Sequence, residues 1–217
     1  MLLFLVKLSL IFDKIFIMKI KDTETKNYWT NRYSKAKTGW DIGYPSTPLK
    51  TYFDQLENKD LRILIPGAGN AYEAEYLFNN GFKNVFVMDI SETPLQQFKI
   101  RNPKFPLTQL IHQDFFSHNG TYDLIIEQTF FCSFPPLQAS RISYVNKMYN
   151  LLKPKGKLVG LWFNIPLTED LEKRPFGGNK ELYISYFKTH FSIKTLENCY
   201  NSIPERQDKE LFGILEK

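Results

Sequence analysis

Arg62-Ile63-Leu64-Ile65-Pro66-Gly67-Ala68-Gly69-Asn70 is an apolar run that ends in a glycine turn, and Val85-Phe86-Val87-Met88-Asp89 is a second apolar run that ends in an acid. Between them, Ala71 to Asn80 reads as a helix. Strand, glycine turn, helix, strand and terminal acid make the first half of a nucleoside-binding α/β fold. The glycines let the backbone approach a ligand closely. Asp89, 20 residues after Gly69, is placed to accept hydrogen bonds from ribose hydroxyls.

The turn also discriminates between nucleosides. A dinucleotide fingerprint asks for a third glycine, and here that place is Tyr72, with Glu73 and Glu75 in the first helical turn. A phosphate would meet those acids with no nearby lysine or arginine to offset them. S-adenosylmethionine (SAM) carries ribose and adenine but no phosphate, and its sulfonium is cationic, so an acidic site suits it better.

Working outward, short apolar strands alternate with helical stretches. A helical arm is expected over about Lys26–Lys35 and a helix near Pro48–Gln55. Strands follow at Arg62–Pro66, Asn84–Asp89, Thr108–His112, Tyr122–Gln128 and Lys157–Phe163, with helices at Ala71–Asn79, Thr93–Arg101 and about Leu137–Leu152. Lys153-Pro154-Lys155-Gly156 reads as a sharp stop to the last of these helices. A helix near Lys180–Lys188 leads to two strands, Phe191–Glu197 and Lys209–Leu215, joined by one turn and therefore antiparallel. The expected fold class is α/β: a Rossmann-like, seven-stranded, mostly parallel sheet with helices on both faces, closed by an antiparallel pair.

At 217 residues the chain fits one domain with a sizeable core. Two distant cysteines, Cys132 and Cys199, form no disulfide framework, and three scattered histidines suggest no metal site. The net charge of +5 comes mainly from dispersed lysine, which reads as solvated surface and argues against nucleic acid. Met1–Ile17 is apolar but broken by Lys7, Asp13 and Lys14, shorter than the roughly 20 residues a span needs, and without a small-x-small cleavage site. The preferred reading is a mis-assigned or poorly ordered extension over residues 1–17, with a signal peptide or short anchor as the alternative. Residues 18–217 then form the domain, with a helical lid at about 26–56. Cytoplasmic location, a monomeric state and no membrane partner are the corresponding expectations.

Ligands of such sheets bind beyond the carboxyl ends of the strands. Gly67 and Gly69 follow the first strand; Asp89 ends the second, with Ile90 behind it to cover adenine; Asp114 and Phe115 follow the third; Glu127 and Gln128 end the fourth. Asp114 could accept from the adenine amine or simply cap the next turn. Trp29, Tyr33 and Trp40 precede the first strand. Aromatic faces there could stabilise a sulfonium and exclude water, or pack as core.

The string Trp29, Tyr33, Trp40-Asp41, Thr47-Pro48-Leu49, Ile65-Pro66-Gly67-Ala68-Gly69, Met88-Asp89-Ile90-Ser91, Asp114-Phe115, Tyr122-Asp123-Leu124-Ile125 and Phe130-Phe131-Cys132 resembles the thiopurine S-methyltransferase family, in its thiol/halide methyltransferase branch. Pro175-Phe176 and Asn201-Ser202-Ile203-Pro204-Glu205-Arg206 are similar to that branch too, so the resemblance runs from about Tyr28 to the C-terminus. It implies that Trp29, Tyr33 and Trp40 close over SAM, Gly67 meets its methionine part, Asp89 its ribose, Asp114 and Phe115 its adenine, and that Gln128 contacts the cofactor. Tyr33 stands where the branch often has tryptophan, and Gln128 where it often has tyrosine.

The implied activity is SAM-dependent methyl transfer to a small soft nucleophile: thiol, thiopurine, sulfide or halide. No metal is implied, and the only partner is the small-molecule acceptor. Such transfer is an in-line displacement in which positioning and desolvation dominate. If a base is used, Glu127 is the best-placed acid, with retention of the cofactor's amino group as its alternative role. Arg141 could draw an anionic nucleophile or be a surface helix residue. The polar amine clamp of amino-methylating enzymes is missing from Phe134-Pro135-Pro136-Leu137. The alternatives are a methyltransferase for another small molecule and a non-catalytic nucleotide-binding α/β protein.

Overall fold

A computed structural model describes residues 26–168 and 170–217. The expectations for residues 1–17 and for a domain start at Met18 lie outside them. Seven strands, β1 (Arg62–Pro66), β2 (Asn84–Asp89), β3 (Leu110–His112), β4 (Tyr122–Gln128), β5 (Leu152–Phe163), β6 (Ser192–Asn198) and β7 (Glu210–Glu216), form one sheet in the order β3-β2-β1-β4-β5-β7-β6. β1 to β5 pair in parallel, whereas β7 is antiparallel to both β5 and β6. The chain reverses direction across the sheet between β1 and β4. The carboxyl ends of both therefore border a crevice, where ligands of open α/β sheets bind.

Two-residue alternation divides the apolar strands between two cores. Leu64, Met88, Ile125, Leu158 and Trp162 face one side, against Tyr144, Met148, Tyr183 and Phe187 of α5 (Gln138–Leu151) and α6 (Lys180–Phe187). Ile63, Ile65, Val85, Val87, Leu124, Ile126, Val159 and Leu161 face the other. There they meet α2 (Thr47–Phe53), α3 (Tyr72–Asn79) and α4 (Glu92–Arg101) through Leu49, Phe53, Ala74, Leu77, Leu95 and Phe98. The first helix, α1 (Lys26–Ser34), has no buried residue and is tied to the start of α4 by Thr30 Oγ1 and Ser91 Oγ, 3.1 Å apart.

Three boundaries differ from expectation for physical reasons. The predicted third strand loses its first two residues to a 3-10 turn, Leu107–Gln109, closed by the Gln109 N–H on the Pro106 carbonyl. β3 thus pairs only three residues with β2, Leu110–His112 against Val87–Asp89. The expected stop after α5 is absorbed into β5 as a bulge. Tyr122 pairs with Leu152 and Leu124 with Lys157, and Lys155 takes φ +63°. α3 starts at Tyr72 because Ala71 is left-handed at φ +56°, an arrangement that costs a non-glycine residue about 1–2 kcal/mol.

Candidate active site

Beyond the carboxyl ends of β1 to β4 lies a cavity of about 490 Å³. Its roof comes from α1 and the segment after it: Tyr28, Trp29, Arg32, Tyr33 and Trp40. Trp40 is the hub, with Trp29 and Tyr33 edge-on to it at 5.5 and 5.7 Å between ring centres. The Arg32 guanidinium lies over the same indole at 5.5 Å. Gly67, Asp89, Ile90, Asp114 and Phe115 line the strand-end side.

Asp89 is buried, and its two oxygens each take a backbone N–H: Oδ2 from Gly69 at 2.9 Å and Oδ1 from Ser91 at 2.8 Å. Burial pushes its carboxyl up to about 6, opposed by those N–H groups and by His112. A carboxylate accepts up to about four hydrogen bonds, so both oxygens retain capacity for a pair of hydroxyls. The glycine turn is thereby tied to the end of β2. Gly69 itself does not line the cavity; a Cβ there would lie 2.9 Å from the Tyr33 hydroxyl, so the residue must be small for the roof to come down. Of the two roles expected of Asp114, the local one is seen. It caps the 3-10 turn Phe115–Ser117 by accepting the Ser117 N–H at 3.0 Å, and it lines the cavity.

The opposite wall is built from the turn after β4 and from the loops after β5 and before β7: Phe130, Cys132, Phe134, Ile165, Arg174 and Arg206 among them. The Phe130 ring packs edge-on against Phe115 and Phe134 at 5.1 and 4.9 Å. Arg174 donates through Nε to the Ser133 carbonyl at 2.8 Å and lies over Tyr28 and Phe176 at 5.2 and 4.9 Å. It thus joins the roof to this wall. Burial holds the Cys132 thiol well above its usual range, so this sulfur stays protonated and behaves as a small apolar group.

Glu127, Gln128 and Arg141 stand apart from the cavity. Glu127 is wholly buried, and one of its oxygens accepts the N–H groups of Phe130 and Phe131, each at 2.8 Å. Burial pushes its carboxyl up to about 8. Gln128 points to the other face of the sheet, toward Ser46, Glu73 and Arg206. Arg141 is neither in the cavity nor on the surface. It is fully buried on the inner face of α5, donates to the Gly177 carbonyl at 3.1 Å and lies over the Phe131 ring at 4.8 Å. Arg32, Arg174 and Lys209 line the cavity and were not anticipated. Arg32 was discoverable, since it follows Trp29 by one helical turn on the same face of α1. Arg174 and Lys209 lie in loops, where no periodicity signals direction.

The residues present fit SAM: an acid at the end of β2, an apolar neighbour in Ile90, glycines at the turn, and aromatic rings rather than lysine above it. Among the described residues no group of His, Cys, Asp and Glu is arranged to hold a metal, and no helix is long and apolar enough to cross a membrane.

Comparisons with known proteins bear on the family and the fold. A family model described as thiopurine S-methyltransferase matches residues 24–216. Thiocyanate methyltransferase 1 of Arabidopsis thaliana is 28% identical over 200 residues, covering 87% of this chain and 84% of that protein. Thiocyanate methyltransferase 1 of Brassica oleracea is 27% identical over 205 residues, covering 91% and 88%. In fold, the chain is similar to the Burkholderia thailandensis 1,6-didemethyltoxoflavin-N1-methyltransferase solved with bound 1,6-didemethyltoxoflavin and S-adenosylhomocysteine (TM-score 0.73, 13% identity, 88% of this chain and 86% of that one).

Proposed function

We propose, for a chain that belongs to the thiopurine S-methyltransferase family and is a SAM-dependent methyltransferase, that the methyl group goes to a small soft anion, a thiolate or thiocyanate-like nucleophile. The observation that carries this reading is the division of the cavity. Its strand-end side has the features a nucleoside needs, and its far wall is mostly apolar, with Phe130, Phe134 and Ile165 around the buried Cys132. Such a wall excludes water from the acceptor, and a small soft anion stripped of its water is the better nucleophile.

In this reading Asp89 holds the ribose hydroxyls, Ile90 and Phe115 enclose the adenine, Asp114 takes its amine, and Gly67 approaches the methionine part. Trp29, Tyr33 and Trp40 form a lid over the cationic sulfur. Bound SAM supplies an electrophilic methyl group, whose transfer to a soft nucleophile leaves S-adenosylhomocysteine. The chain's own contribution is alignment and exclusion of water. An acceptor that arrives as an anion brings its own electron pair, so no base is required. Glu127 and Arg141 then serve as supports: Glu127 pins the turn carrying Phe130, and Arg141 packs beneath Phe131.

The test is a panel of acceptors with SAM: thiocyanate, hydrosulfide, iodide, a small aryl thiol and a primary amine. Methylated sulfur or halide products with none from the amine support the proposal. Efficient amine methylation, or SAM binding with no methyl transfer to any of them, contradicts it.

A further inference from the structure

A buried polar chain runs behind the cavity and takes hold of both ends of the segment that carries Trp40. Arg206, 8% exposed, donates through Nη2 to the Trp40 carbonyl at 2.8 Å and through Nη1 to Glu210 Oε1 at 3.4 Å. Gln128, in the amide orientation that satisfies its neighbours, accepts from Arg206 Nη1 at 3.2 Å. Its amide nitrogen donates to Glu73 Oε1 at 2.6 Å and to Ser46 Oγ at 3.3 Å. The same Glu73 oxygen accepts the Ser46 backbone N–H at 2.9 Å. Trp40 and Ser46 are the two ends of the strap 40–46, and both are gripped by groups that meet at Gln128.

We propose that Gln128 and Arg206 are positioning residues for methyl transfer, clamping the strap 40–46 at both ends so that the Trp40 indole is held down over the cofactor. The inference deepens the reading of the aromatic roof as a lid. Arg206 must reach a carbonyl, a carboxylate and an amide oxygen at once. A planar fork of five donors can do this and a lysine ammonium on a flexible stem cannot. Gln128 bridges because its amide presents a donor on one side and an acceptor on the other. It faces away from the cavity, so its effect on the reaction must pass through the strap. The clamp also explains why a residue expected to touch the cofactor stands on the opposite face of the sheet.

The experiment compares the parent with Gln128→Leu and Arg206→Lys. The first readout is acrylamide quenching of tryptophan fluorescence with S-adenosylhomocysteine bound. Trp162, 2% exposed, is shielded in every variant, so quenching reports on Trp29 and Trp40. The others are the S-adenosylhomocysteine dissociation constant by calorimetry and kcat against acceptor KM.

Both variants should be more readily quenched, bind S-adenosylhomocysteine about tenfold more weakly, equivalent to about 1.4 kcal/mol, and lose kcat with acceptor KM little changed. Two results overturn the proposal. One is an Arg206→Lys protein with parental quenching and affinity, since charge alone would then suffice. The other is a Gln128→Leu protein with a lower melting temperature but parental quenching and affinity per folded molecule, which marks a merely structural role. Should either fold poorly, Glu73→Gln keeps the shape and weakens the acceptor. It should shift quenching and affinity in the same direction by about threefold, less than the 1.4 kcal/mol of a tenfold change, and no shift overturns the proposal. Quenching and affinity need no acceptor, so a failed acceptor panel leaves this test intact.

Discussion

The phenyl ring of Phe130 lies directly against Gly67: a Cβ added at position 67 would sit 2.1 Å from Phe130 Cδ2. The glycine turn after β1 and the aromatic turn after β4 are therefore fitted to one another where the two halves of the cavity meet. Gly67 is also left-handed, at φ +58°. A methyl group there must displace both the ring and the backbone. Gly67→Ala should bind SAM at least tenfold more weakly, by the relation of about 1.4 kcal/mol per decade. It should also melt lower, with about 1–2 kcal/mol of backbone strain added. Calorimetry and thermal melting of one preparation check both. Parental values for each would show that Phe130 swings away freely.

Asp89 is tied to the glycine turn by the Gly69 N–H and lines the cavity. Asp89→Ala should raise the SAM dissociation constant about tenfold or more, from charge-assisted hydrogen bonds worth roughly 1.5–3 kcal/mol. Unchanged affinity in a folded variant would remove the ribose role.

The buried carboxyl of Glu127 makes a pH prediction. Its value in the folded chain, about 8, lies above the ordinary 4.5, so the native state holds this proton more tightly than the unfolded chain does. The contribution of Glu127 to stability is then fully present below about pH 4.5 and is lost as pH rises to about 8, with a limiting slope of about 1.4 kcal/mol per pH unit. Glu127→Gln should flatten the fall in melting temperature between pH 5 and 8 while keeping an oxygen for the Phe130 and Phe131 N–H groups. An equally steep fall in the variant would place the titrating group elsewhere.

Trp40 is half-buried and packs edge-on to Trp29 and Tyr33. Trp40→Ala should lose most turnover while its ligand-free melting temperature moves by less than the roughly 3–5 kcal/mol that truncating a core tryptophan costs. A large loss of stability with turnover per folded molecule intact would reject the lid.

The expected site residues that line the cavity depend on short stretches of chain. Gly67, Asp89, Ile90, Asp114 and Phe115 each end or closely follow a strand of only three to six residues, so strand ends alone bring them together. Direction was harder. Glu127 and Gln128 are neighbours at the end of β4, and the pleat sends them to opposite faces, with neither entering the cavity. Which face each would take depends on how the Phe130 turn and the strap pack, and these are long-range contacts. Arg141 carried a local signal. It shares a helical face with Tyr144, Val145, Met148 and Leu151, all buried, so a position inside the core follows from periodicity.

The most direct measurement of the central claim follows the methyl group itself. The purified chain is supplied with SAM carrying a 13C-labelled methyl and with thiocyanate or a small thiol, and products are identified by headspace mass spectrometry. The account predicts labelled methyl thiocyanate or methyl thioether formed in step with S-adenosylhomocysteine, and formed more slowly by Asp89→Ala at subsaturating SAM. Label that stays on SAM, or reaches only nitrogen or oxygen acceptors, would contradict it.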